Sequence, residues 1–509
     1  MASDPATPVW PRPWVPIGIG TGITLLSLGL LAMHMLPLGI SSQWEWMPRI
    51  QDLRLGAWTL LALLVCLLTT AMIARTLRQP ALPPRPACAG LVLLCVITSG
   101  GLLFAPVADD PLVAVNLGAT TTSVAAMGYY GLAATVGSLR DGFGIYVTRD
   151  ASLGLPGRIQ THPPGPFLWA YWGRRLTEAW PALGRGAMAF LNWRHGLTPE
   201  ILHRFAAHYA VPGLAAAEAP GAWLNGLAAT LAGALLPVAG FLLGTALWDR
   251  RAGLVAALLA GTLPSLLAFV PSIEGLAAVL AVLPVAALAA AVRRRSWPLG
   301  ALAGLAFALA LLWTPGVVVV LAPMVGMAMA VSLERRRLSG TTGPVAQPLW
   351  LLALAGATTA AAFLGLYLLT GYNFARDFRA MSEVHHGQIW RRSVGPWMPM
   401  NLWDFVLFMG PTLAALVAGS FLHVRRLPDA VRGAVLGMAL GLVAVTLSGV
   451  TRGEVGRIWL FMMPLMAAGV SGWLPSLPGK ESAKALGIVV ACQVLLAMRL
   501  YMVLELVRP

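Results

Sequence analysis

Apolar runs of roughly twenty residues recur along the chain between short polar breaks, and about twenty is the length a helix needs to cross a bilayer. They fall at 15–38, 56–77, 86–107, 221–247, 252–271, 274–292, 296–313, 315–332, 347–370, 401–421, 431–450, 458–474 and 484–506. The pattern predicts an all-α polytopic membrane protein with about thirteen transmembrane helices. Two junctions, Trp313-Thr314-Pro315-Gly316 and Pro271-Ser272-Ile273-Glu274, read as tight hairpins. The stretch 112–135 is apolar but interrupted by Thr120-Thr121-Thr122-Ser123, which suits an interfacial helix better than a span.

Composition sharpens this picture. Of the 509 residues 58% are hydrophobic and only 11% charged, with mean hydropathy +0.75, whereas a soluble domain carries roughly 25% charged residues. An ordinary cytosolic enzyme and a disordered chain are both excluded. The net charge of +15 comes almost wholly from Arg, the only lysines being Lys480 and Lys484. With the N-terminus cytoplasmic, Arg75, Arg78, Arg85, Arg250-Arg251, Arg293-Arg294-Arg295, Arg335-Arg336-Arg337 and Arg425-Arg426 all fall in inner loops, joined by the two lysines. The basic charge therefore belongs to loops facing lipid phosphates, not to nucleic acid, and the expected location is a bacterial plasma membrane. The first apolar run is too long for a secretory signal and has no cleavage site. Cys66, Cys88, Cys95 and Cys492 follow no disulfide or zinc spacing.

Three segments then lie outside: 108–220, 371–400 and 451–457. Long loops of this kind more often carry function than merely connect. The first opens with Asp109-Asp110 at a helix end, where an acid marks the water boundary or serves as general base for a hydroxyl nucleophile. Asp141 and Asp150 are further loop acids. Arg158 precedes Thr161-His162-Pro163-Pro164-Gly165-Pro166, in which the prolines stiffen the chain behind His162; this reads as a helix start or as a rigid phosphate or acceptor contact. The run 167–180, with three Trp, a Tyr and an Arg pair, belongs at headgroup level. Residues 199–210 set Ile201, Leu202, Phe205 and Tyr209 on one face of a short surface helix.

The second segment holds Glu383, His385 and His386, residue types that ligate a divalent metal but in a loose spacing. It also holds Arg391-Arg392 beside Trp390, which suits a lipid phosphate or interfacial anchoring. Asn401 and Asp404 read as the start of the next helix. In the third segment Glu454 and Arg457 form an i, i+3 pair, either a minor stabiliser or a phosphate contact. No Gly-rich phosphate loop, HExxH or G-x-S-x-G motif occurs.

Asp109-Asp110 at the outer end of a helix, a long outer loop after it, seven helices from 86–107 to 347–370 and a second outer loop together resemble the GT-C superfamily of integral-membrane glycosyltransferases. The THPPGP run is similar to the HPPG element of a group of bacterial GT-C-like membrane proteins. The resemblance implies a module at 86–370 with its extracytoplasmic loop at 108–220, two extra helices within 1–85, a second outer loop at 371–400, and a C-terminal helical part at 401–509. It further implies inverting transfer of a sugar from a polyprenyl-phosphate donor to a lipid or glycan acceptor of the cell envelope, outside the cytoplasm. Asp110 or Asp109 would be the base, and Arg391, Arg392 and Arg457, with His162 or His386, would neutralise the phosphate. Two departures stand out: the extra N-terminal helices, and Pro111 directly after the acid pair. The rival readings are a lipid or polyprenyl-linked glycan transporter, for which Pro237, Pro264, Pro284 and Pro323 supply helix breaks and His34 a charge within a span, an O-antigen-ligase-like transferase, and a non-catalytic assembly partner.

Overall fold

The computed structural model describes residues 14–49, 56–79, 81–123, 126–148, 157–207, 215–270, 272–339 and 346–505. Asp150 and Tyr209 lie outside them. Each of the thirteen apolar segments is helical. Among the described residues ten helices are long and apolar enough to span, Val394–Met409 and Pro411–Leu422 form a pair bent by 111°, and Trp297–Trp313 and Leu460–Val470 are shorter apolar helices. The two small sheets are two-residue pairs, Gly39–Ile40 with Trp44–Glu45 and Met47–Pro48 with Leu504–Glu505.

Contacts sort the loops to two ends, as a chain crossing back and forth requires. At one end Gln43 accepts from Ser393 N and Trp397 Nε1, Arg158 and Arg457 meet at Glu274, and Met47–Pro48 pairs with the last strand. At the other, Arg251 reaches the Gln79 and Ala81 carbonyls, Arg335 reaches Gln347 and the Val292 carbonyl, and Lys484 sits over Trp14. The second end carries the arginine runs.

Pro111–Thr122 and Tyr129–Thr135 are two helices largely buried by protein, with Trp223 Nε1 donating to Ala114 O and Thr121 Oγ1 to Ala222 O. Three expectations are corrected. The first helix ends at Ala32, not at 38, so His34 lies beyond it, at φ 54°, and is not covered by protein. The span at 458–474 is a chain of short turns, 455–458, 460–462 and 463–470, buried by protein. The span at 401–421 breaks at Gly410-Pro411, where Gly410 adopts φ 91° and Pro411 lacks the N–H that would continue the helix.

A close seam joins Leu321–Ser339 to Asp429–Ser448. Gly433, Gly437 and Gly441 recur every four residues, and a Cβ added at Gly433 or Gly437 would overlap the carbonyl oxygens of Gly326 or Ala322. Small residues at this spacing let two backbones touch, which in lipid replaces the hydrophobic drive to associate. We expect Gly437→Leu to force the pair apart and to cost about 1–3 kcal/mol or more, read as a lower thermal midpoint in detergent. Leu440→Ala on the same helix is the control: that side chain is exposed, and its loss should change the midpoint little.

Candidate active site at one end of the bundle

The acid pair at the end of Arg85–Asp109 joins helices. Asp109, with 3% of its side chain exposed, accepts from Trp58 N (3.2 Å), Thr59 N (2.9 Å) and Thr59 Oγ1 (2.7 Å), capping Ala57–Leu77, and lies 3.6 Å from Arg194. Asp110 caps Pro111–Thr122 through Oδ1, from Leu112 N (2.8 Å) and Val113 N (3.3 Å), with Pro111 at the first helical position as expected behind such a cap. Arg194 Nε and His195 Nε2 donate to the Ala108 and Val107 carbonyls left over at the end of the same helix. Burial there holds the pKa of the His195 imidazole below the usual histidine range. The adjoining cavity, lined by Thr59, Asp109, Asp110 and Tyr501, holds about 30 Å³, a tenth of the roughly 300 Å³ at which ligand pockets begin. Asp109→Ala should cost about 1–3 kcal/mol by leaving these donors unpaired, seen as a fall in thermal midpoint. Asp141 likewise caps its own helix, exchanging bonds with Ser138.

Charged chemistry gathers elsewhere. Glu274 is the first residue of Glu274–Arg294, where a carboxylate is favoured by the helix dipole. Its Oε1 is 3.2 Å from Arg158 Nη1 and 3.3 Å from Arg457 Nε, and Ser272 Oγ donates to its other oxygen. Arg457 also pairs with Glu454. All four side chains are largely screened from solvent, 11% exposed at Arg457 and 27% at Glu454. Glu454 stands at φ 58°, a left-handed backbone that is rare for residues other than Gly, Asn and Asp and that clusters at functional sites. Burial pushes its carboxyl above the usual range, against the opposing pull of Arg158 and Arg392.

Arg392 lies over the Trp44 ring (5.4 Å) and donates to the Arg452 carbonyl, while Arg452 donates back to the carbonyls of Arg392 (2.6 Å) and Ile389 (3.2 Å). Asn401 fastens the same loop through Thr451 O (2.7 Å) and Gly453 N (3.1 Å). His385 Nε2 donates to Val450 O at 2.7 Å. Trp44, Trp46 and Trp397 wall this side, and Trp46 Nε1 reaches the buried Asp404 at 3.3 Å. The N-terminal extension thus supplies part of the wall.

The Thr161-to-Pro166 run acts as a brace. His162 Nδ1 donates to Arg158 O (3.0 Å), holding the turn that presents Arg158. Gly165 begins the next helix against the Leu312 carbonyl, where a Cβ would collide. Of the residues named from sequence, Arg158, Arg392, Glu454 and Arg457 gather, with His385 and His162 supporting them. Arg391 is exposed and stacked on Trp390, His386 is exposed, and Glu383 pairs with Arg379. Among the described residues no group of three His, Cys, Asp or Glu is placed to hold a metal, so the residues at 383–386 do not fit one. Sequence reasoning passes over Glu274, which looks like part of a hairpin, and Trp44 and Trp46, which lie in a loop between spans.

No protein-family profile matches the chain, and no curated protein matches it. Among solved structures it is similar to the crystal structure of the Archaeoglobus fulgidus oligosaccharyltransferase in complex with zinc and sulfate, at 18% identity and TM-score 0.35. The match covers 56% of this chain and 42% of that one, so the chain spans less than half of its length. At that degree of overlap, function is read from the site itself.

Proposed function

We propose that this protein is a glycosyltransferase that moves a sugar from a polyprenyl-phosphate donor to a hydroxyl acceptor at the outer surface of a bacterial plasma membrane, with inversion. The observation that carries the reading is the gathering of Arg158, Arg392 and Arg457 with Glu274 and Glu454 against indole walls at one end of a membrane bundle. Guanidinium groups suit a phosphate bidentately, and the indoles suit a lipid-borne substrate at headgroup level. In the proposed step the acceptor hydroxyl attacks the anomeric carbon. A new C–O bond forms as the bond to the phosphate oxygen breaks, its electron pair leaves on the phosphate beside Arg457 and Arg158, and the hydroxyl proton passes to Glu454. Glu274 holds the two arginines in register. Asp110 is the second candidate for the base, since only its Oδ1 is committed to the cap.

The test is transfer from mixed polyprenyl-phosphate sugars by the purified full chain, in parallel with Glu454→Gln and Asp110→Asn. Transfer lost in the first and kept in the second supports the assignment; the reverse moves the base to Asp110. Donor turnover that is absent with every acceptor refutes the transferase reading.

One feature favours transport instead: the 111° break at Gly410-Pro411, with Asp404 1% exposed on one arm and Gln493 packed against the break. Broken helices lined by polar groups mark transporters. That reading expects movement of a lipid-linked glycan across proteoliposomes with no bond cleaved.

A further inference from the structure

At the arginine-rich end, opposite the site above, a groove of about 1160 Å³ opens among four helices, Arg85–Asp109, Leu236–Leu247, Glu274–Arg294 and Trp297–Trp313. The first and last form its lips, each packing on the helices between them. Val92, Val96, Phe241, Leu283 and Leu302 wall it, and the small side chains of Ala287 and Ala306 leave it open. One end is different in kind. Arg85, Arg250, Arg293 and Arg294 line it together, against the single carboxylate of Asp249. That carboxylate already caps the next helix by accepting from Ala252 N at 2.9 Å. Among the described residues none of the four arginines lies in a salt bridge. Arg293 is steered to the groove mouth by the Thr245 and Trp248 carbonyls.

From Arg85 to Val96 a helix rises about 16 Å, and one leaflet of hydrocarbon is about 15 Å deep, half of the roughly 30 Å core. The groove therefore matches a lipid in both respects: an apolar slot one leaflet deep, closed at the headgroup level by unbalanced positive charge. Basic pockets between transmembrane helices at this level take anionic headgroups. We propose that the groove is a binding site for an anionic diacyl phospholipid of the leaflet on the arginine-rich side, its phosphate held by Arg250 and Arg294 and its chain laid along Phe241 and Val96.

The experiment is native mass spectrometry of the full chain in detergent with added phosphatidylglycerol, phosphatidylcholine or polyprenyl phosphate. Phosphatidylglycerol should stay bound under activation that strips phosphatidylcholine. Arg250→Gln with Arg294→Gln should weaken its retention roughly 30-fold, from about 1 kcal/mol per basic side chain at 1.36 kcal/mol per factor of ten. Ala287→Trp, which fills the slot and leaves the charges, should weaken it as well; if the double variant fails to fold, this variant decides. Equal retention of the two phospholipids, or retention unchanged in the variants, overturns the site. Displacement of phosphatidylglycerol by polyprenyl phosphate overturns the diacyl occupant. Sugar transfer enters none of these readouts, so the result stands apart from the reading of the outer site.

Discussion

Glu454→Gln should lower the proposed sugar transfer by about 10²- to 10⁴-fold, the usual contribution of a positioned general base, in protein that still folds and still binds donor. The substitution keeps the size of the side chain and removes its capacity to take a proton together with the negative charge that pairs with Arg457, which retains Glu274 as its other carboxylate. The wild-type pH profile supplies a second readout. A base acts when deprotonated, and burial raises the Glu454 carboxyl, so its protonated form persists to higher pH than in an ordinary glutamate near 4.3. Activity should fall as pH drops through that raised value, and the acid limb should vanish from the residual activity of Glu454→Gln. A limb that survives unchanged in the variant would assign it to another group.

Arg457→Gln carries the second large effect, because this guanidinium serves two carboxylates at once. With 11% of its side chain exposed, it is the shared counter-charge of Glu274 and Glu454, and removing one partner of a buried ionic set costs about 3–5 kcal/mol. Transfer should also fall by about 10²–10³-fold, as when a donor aimed at developing charge is lost. Arg457→Lys separates the two roles. It restores the charge and most of the stability, but a single ammonium does not reproduce the fork that spans two acceptors, so transfer stays low. Thermal unfolding and single-turnover transfer on the same preparations check both halves; recovery of full transfer by Lys would count against phosphate recognition at this position.

Hydropathy locates the thirteen apolar helical segments, because length and apolarity are local properties, but not polar helices such as Phe374–Ile389. It misjudges 458–474 because an apolar helix covered by protein reads like one covered by lipid. Helix start chemistry is equally local: Asp110 followed by Pro111 is a cap signal on its face. Asp109 reaching back 51 residues to cap the helix at Trp58 is a tertiary fact with no trace in the neighbouring letters. The same holds for Glu274, which acquires its meaning only when Arg158 and Arg457 reach it from segments 116 residues before and 183 residues after. The Gly433, Gly437, Gly441 spacing is legible in the letters, but which helix it meets is not, since small residues mark a close approach without naming the partner.

That glycine seam also has a consequence for biogenesis. Gly326 and Gly433, which lie face to face in the finished fold, are separated by 107 residues in the chain. At about 5–20 residues per second, the helix carrying Gly326 waits on the order of 5–20 s after its own synthesis before its partner leaves the ribosome. During that interval a bare backbone ridge faces lipid that cannot fit it closely. An insertase or chaperone that shields Leu321–Ser339 would be needed only for those seconds, and crosslinks from Gly326 to such a factor should disappear once the nascent chain has grown past Ser448.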